Sequence, residues 1–364
     1  MGIAKTTGRA QFAESFPGLL SLGLFVCIVM VGLWPFGSPR NRVEWLRDKH
    51  GLRFYGPSSL LSVKPVEFGL SEASPVVLEL RLRPFAIRQS GTLISFYNSA
   101  TRGSFSISQQ QDDLELRLDS KSETRRVYFD GAFRFGDSQQ LTLTFDTRGT
   151  RLFADRIEIQ PSLPFSVRPA NLTGRLVIGD APTSHHSWRG ELTALRLYQA
   201  LTSCGVAGWH CSLPRFNSFR TVLRYSFNEG AGRLVHDRAG DNDLVIADRY
   251  TLLDQISLQM PWKEYRASWT YFEDAAINIA GFVPFGFALR VYIARRFHIA
   301  SAAAVTIGAG AALSATIEFL QSYLPTRDSG ITDLIMNTAG AALGTSIWRL
   351  SRLAFVRTLQ RERI

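Results

Sequence analysis

FEDAAINIAGFVPFGFALRVYI, residues 272–293, is long and apolar enough to cross a bilayer as one helix, which takes about 20 mainly apolar residues. Its acids, Glu273 and Asp274, lie at one end, and its arginine, Arg290, lies near the other. Three further runs share this character. FPGLLSLGLFVCIVMVGLWPF (16–36) carries no charge; the others span 299–324 and 331–350. The first could be a signal peptide, since Lys5 and Arg9 precede it. It is long for a signal core and no small-x-small cleavage pattern follows, so a retained span is expected.

Positive charge gives direction. Lys5 and Arg9 precede the first run; Arg290, Arg295 and Arg296 mark the link between the second and third; Arg349, Arg352, Arg357, Arg361 and Arg363 follow the fourth. Cytoplasmic flanks carry such an excess. Four spans with both termini in the cytoplasm satisfy every group, and they put residues 37–271 and the link PTRDSG (325–330) outside. Trp262, Tyr265, Trp269 and Tyr271 sit where an interfacial aromatic belt would. The net charge of +10 in 364 residues is of a size that nucleic-acid binders show. Here the arginines flank apolar runs instead, which argues against a nucleic-acid partner and for membrane lipid.

Between the first and second runs the sequence turns polar and alternating. VVLELRLRPF, TLISFY, LELRLD, VYFDGAFRF, QLTLTFDT, RLFADRIEIQ, RLVIGD and ELTALRLY each alternate apolar and polar residues, the period of half-buried antiparallel strands. This count predicts an all-β sandwich inserted between spans one and two of an α-helical membrane bundle. Cys204 and Cys211 flank CGVAGWHC; outside the cytoplasm they could form a disulfide or remain two thiols. Cys27 lies within the first apolar run. Asp237, Asp241 and Asp243 are close enough in sequence to serve as calcium ligands, though a solvated turn is the commoner reading. No other cofactor or metal is indicated. His185 and His186 lack acidic or cysteine neighbours, and Trp188 can pack in the sandwich or stack on a sugar.

The most informative residues are the polar ones in the apolar runs, which are costly in lipid and face a bundle interior or water. Asp274 and Asn278 are four apart, Glu318 and Gln321 three apart, and Asp333 and Asn337 four apart, so each pair shares a helical face. With Arg327 in the outer link, all belong to the outer ends of their helices. Asp274 and Asp333 lie near helix N-termini, where capping and the dipole favour an acid. Glu318 lies near a C-terminus, where the dipole disfavours one, so it needs a partner; Arg327 is the nearest in sequence. Gly340 and Gly344 form a small-xxx-small pair that lets helices approach closely.

Two resemblances follow from these residues. QLTLTFDTRGTRLFADRIEIQ (140–160), WRGELTALRLYQALT (188–202) and GLRFYGPSSLLS (51–62) resemble the strands of concanavalin A-like, laminin-G-like jelly rolls. LRYSFNEGAGRLVHDRAGDNDLVI (223–246) resembles a further strand of that family, but follows the closing strand instead of preceding the opening one. Asp274, Asn278, Phe282, Pro284, Phe285, Gly286, then Glu318 and Gln321, then Arg327 and Asp328, then Asp333, Asn337 and Gly340 resemble the VanZ-like family in order and spacing. The departure is the large insert. That family is associated with resistance to teicoplanin-type glycopeptides, so the resemblance implies a bacterial cell-envelope role without naming a reaction.

The expected division is a cytoplasmic N-terminus (1–15), a first transmembrane helix (16–36), an extracytoplasmic sandwich (40–250), an aromatic linker (251–271), VanZ-like helices two to four (272–350) and a basic cytoplasmic tail (351–364). The expected function is capture of an extracytoplasmic glycan or glycopeptide by the sandwich, with a polar site at the outer face of the bundle. The alternative is a membrane enzyme acting on a lipid-linked saccharide or phospholipid headgroup, with Asp333 or Glu318 as base and Arg327 stabilising negative charge; no nucleophile with an adjacent base accompanies them. A transporter is disfavoured, because no internal repeat is visible and the cluster sits at one face.

Overall fold

The computed structural model describes residues 3–69, 74–120, 123–201, 219–255, 257–261, 269–297 and 301–361. It divides into a helical unit, residues 1–37 with 256–364, and a β unit, residues 38–255.

The β unit is a sandwich of antiparallel strands numbered β1 to β16 in chain order. One sheet runs β1 (Val43–Trp45), β2 (Leu52–Phe54), β13 (Gly190–Ala200), β4 (Val76–Pro84), β9 (Gln139–Asp146), β10 (Gly149–Ala154) and β11 (Ile157–Glu158). β14 (Phe219–Tyr225) pairs with β13 off that path. The second sheet runs β15 (Leu234–Val235), β16 (Leu244–Ile246), β3 (Leu60–Val66), β12 (Gly174–Ile178), β5 (Ser90–Asn98), β6 (Gly103–Gln110), β7 (Asp113–Asp119) and β8 (Thr124–Phe129). Alternation fixes the register. Leu78 opposes Leu143 and Leu197, and Leu80 opposes Leu141 and Leu195, all turned into one core with Phe96, Phe105, Leu116 and Phe129 of the other sheet. A slip of one residue would turn each row outward.

The expected closing strand, β13, lies mid-sheet, with β4 on one side and β2 then β14 on the other. Gly190 opens it. A Cβ there would strike the buried Trp188 ring and the Arg83 carbonyl, so only glycine fits. Trp188 packs in the core and donates from Nε1 to Gln109 Oε1 at 2.8 Å. The stretch 223–246, out of order by family likeness, is integrated nonetheless: β14 joins the first sheet and β16 adds to β3 at the edge of the second. Two expectations are corrected. VYFDGAFRF is not one strand, because β8 stops at Phe129 and a turn follows at Asp130–Gly131. RLFADRIEIQ is a hairpin, β10 and β11 joined by Asp155 and Arg156, both at positive φ. On the first sheet's outer face Glu191 is buried among Lys49, Arg53 and Arg83, at 2.7, 3.1 and 3.4 Å. Burial would raise the Glu191 carboxyl; the three cations outweigh it and hold the group below the usual carboxylate range.

The helical unit contains α1 (Ile3–Leu33), α2 (Trp269–Arg296), α3 (Ala302–Gln321) and α4 (Ile331–Arg361). By length and composition, three of the described helices can cross a membrane: Phe16–Leu33, Tyr271–Arg296 and Ala302–Gln321. The expectation of four is therefore met only in part, since α4 carries Asp333, Asn337 and Arg349 and is more polar. Phe282, Phe285, Leu313 and Ile317 form the buried centre, and Leu24, Ile28, Val29 and Leu33 of α1 pack on it. The first apolar run is thus built into the bundle. Gly340 and Gly344 let α4 approach α2 closely: a Cβ at either would strike the Ile279 or Val283 carbonyl. The small-xxx-small pair therefore works as such pairs do in lipid.

Candidate functional site

The polar residues of the bundle form a ladder across its helices. Asn278 on α2 donates to Asp333 Oδ1 on α4 at 2.6 Å. One turn further along α4, Asn337 donates to Ser314 Oγ on α3 at 2.9 Å. One turn from Ser314, Glu318 accepts the Gly330 backbone N–H at 2.8 Å. Gln321, on the same face, donates to the Gly32 carbonyl of α1 at 2.9 Å. Arg327 donates to the Trp34 and Val31 carbonyls at 3.0 and 3.2 Å. Every described helix of the unit is thereby tied at one end by side chains predicted from sequence.

Their roles separate. Gln321 and Arg327 satisfy carbonyls at the C-terminal end of α1, which a helix leaves without intrahelical partners. Asp333 lies in the first turn of α4, where the dipole favours an anion. Glu318, 2% exposed, fastens the link between α3 and α4 through Gly330. Asp274 is exposed and forms no hydrogen bond among the described residues, so the structure does not bring it into the ladder. Asn337, 6% exposed, uses its amide nitrogen on Ser314 and leaves Oδ1 buried without a partner among the described residues. Thr326 and Thr332, in and just after the same link, likewise bury unpartnered hydroxyls. A buried acceptor without a donor costs about 1–3 kcal/mol, so this end of the bundle has unmet hydrogen-bonding capacity.

The sandwich candidates resolve differently. Asp241 pairs with Lys64 at the surface, whereas Asp237 accepts the Arg224 and Ala239 N–H groups at 2.9 Å each. Asp243 accepts the Asp237 N–H and faces His236, both at 3.0 Å. These contacts build a turn, and no group of three His, Cys, Asp or Glu is placed to hold a metal among the described residues. Cys204 and Cys211 lie outside the described residues, as do Trp262 and Tyr265. His185 and Tyr250 surround the fully buried Asp180, which also accepts the His186 N–H at 2.6 Å and the Ser187 hydroxyl. This carboxylate organises the loop before Trp188.

One surface was missed by sequence reasoning. β6, GSFSISQQ, turns Phe105 and Ile107 into the core and Ser104, Ser106, Ser108 and Gln110 away from it. Register then aligns Ser106 with Arg117 and Arg126, and Ser108 with Glu115 and Tyr128, on the outer face of the second sheet. Glu115 accepts from Gln110 Nε2 at 3.0 Å and from the Tyr128 hydroxyl at 3.3 Å, and Arg126 lies 3.6 Å away. Tyr128 is 44% exposed, and partial burial with the Glu115 charge pushes its phenol up, so it stays protonated and able to donate at neutral pH. The signal was present as alternation, but serine at the outward positions made it weak.

Solved structures similar to the sandwich share little sequence with it. Domains LG4–5 of the mouse laminin α1 chain are 14% identical over 44% of this chain and 43% of that one, less than half its length, with a TM-score of 0.31. The SAP-like pentraxin of Limulus polyphemus is 18% identical over 59% and 96%, with a TM-score of 0.30. The CBM40 of the Ruminococcus gnavus IT-sialidase, solved bound to α2,3-sialyllactose, is 10% identical over 41% and 89%, with a TM-score of 0.32. No curated protein matches. The VanZ/LLP1 family model matches residues 221–352, from within β14 to the middle of α4, and so takes in every member of the polar ladder from Asn278 to Asn337. Over residues 221–352 this chain is similar to the VanZ/LLP1 family.

Proposed function

We propose that this is a multi-pass protein of the bacterial cell membrane with four spans, both termini in the cytoplasm and the sandwich outside. There the sandwich captures an envelope glycan or glycopeptide. The observation that carries the binding reading is the outer face of β6–β8. The exposed Tyr128 and the partly exposed Arg117 and Arg126 stand beside the buried Glu115, Ser106 and Ser108, so the tyrosine can stack on a sugar ring while the arginines donate to its hydroxyls. The fourth span is supported by the inside-out character of α4. Asn337, Gly340, Gly344 and Thr345 are buried, while Ile335, Leu343, Ile347 and Leu350 are exposed as lipid-facing residues would be. The ladder end of the bundle, where the Asn337 oxygen has no partner among the described residues, is a second polar site suited to a donor group such as a hydroxyl or amide.

The test is titration of the purified full-length chain with soluble peptidoglycan fragments and with glycopeptide, followed by calorimetry. Wild type binds at least one of them, and Tyr128→Ala weakens that binding by about fivefold or more, the cost of removing an aromatic anchor. Absence of binding to every fragment, or wild-type affinity in Tyr128→Ala, would remove this reading.

A further inference from the structure

At the opposite end of the bundle from the ladder, two guanidinium groups approach the Trp348 ring of α4. Arg290 of α2 lies over the indole at 4.2 Å from the ring centroid, and Arg352 of α4 at 5.3 Å. Two cations converge on one ring, and neither forms an ion pair with a carboxylate among the described residues. The indole attracts each guanidinium and neutralises neither. Arg290 is half-buried within the apolar part of α2, about 9 Å before the helix ends at Arg296. A charge at that depth reaches toward the headgroup layer instead of resting in hydrocarbon.

We propose that Arg290, Trp348 and Arg352 form a binding site for the phosphate of an anionic phospholipid headgroup. The phosphate would lie against both guanidinium groups, with the Trp348 ring beside them at the interface, where tryptophan is favoured. Arginine suits this ligand because its planar fork donates two hydrogen bonds to phosphate oxygens. The pair comes from two helices, so an occupied site also clamps α2 to α4 at this end, as Asn278 and Asp333 do at the other. The site lies outside the glycan-binding reading and does not depend on it.

The test uses the purified full chain, equilibrated with an equimolar mixture of phosphatidylglycerol and phosphatidylcholine and examined by native mass spectrometry for retained lipid. Wild type retains phosphatidylglycerol in preference, and Arg352→Gln, at an exposed position that folding tolerates, lowers that preference by about fivefold. Arg290→Gln does the same, whereas Arg349→Gln, which removes the same charge one helical position from Trp348, leaves it within twofold or so. Equal loss in Arg349→Gln and Arg352→Gln would assign the preference to diffuse charge and overturn the site. Displacement of the retained lipid by inorganic phosphate at millimolar concentration would assign the site to free phosphate and overturn the lipid.

Discussion

Glu318 carries the clearest tension between sequence and structure. In sequence it is an anion near a helix C-terminus, opposed by the dipole and in need of a partner, with Arg327 the nearest in sequence. In the fold it accepts the Gly330 N–H from beyond the end of its own helix, while Arg327 reaches the carbonyls of α1. The partner was not legible because a backbone N–H leaves no mark in residue type. Asn278 and Asp333, by contrast, were legible as face-sharing polar residues, and they meet. Glu318→Ala leaves the Gly330 N–H buried without its acceptor, a loss of about 1–3 kcal/mol. Glu318→Gln keeps an acceptor oxygen and is expected to lose less. Thermal unfolding of the detergent-solubilised chain should therefore rank wild type, then Gln, then Ala; equal midpoints for Gln and Ala would mean that the carboxyl oxygen holds nothing.

The elements were legible where one face is strongly apolar, and illegible where outward residues are small or where a turn interrupts an alternating run. β4 and β13 could be read from their leucines. β6 could not, because its serines blur the contrast, and β8 was overextended because alternation continues in sequence past the turn at Gly131. The fourth span is harder to read for a related reason: α4 is long enough, but its polar residues lower the average that composition measures. Packing restores the distinction that the average loses, since those residues face inward. Gly344→Leu is expected to push α4 from α2 and cost about 1–3 kcal/mol, as overpacking does. Gly308→Ala on α3 meets open space and should leave stability unchanged or slightly raised. Unfolding midpoints of the two variants in the same detergent check the contrast; equal effects would contradict the close approach.

For the whole molecule, the binding reading depends on which side of the membrane each part occupies. In the proposed topology the basic flanks place Lys5, Arg9 and the residues after Leu350 in the cytoplasm, and the link at Arg327–Asp328 on the same side as the sandwich. That topology would put the ladder near the outer leaflet and the Arg290–Trp348–Arg352 cluster near the inner one. The most direct test is cysteine labelling in intact cells, in a background with Cys27, Cys204 and Cys211 replaced by serine. A membrane-impermeant maleimide should label Asp328→Cys in intact cells and Ser351→Cys only after permeabilisation. Labelling of Ser351→Cys in intact cells, with Asp328→Cys protected, would reverse the sidedness and remove the sandwich from the envelope glycans it is proposed to bind.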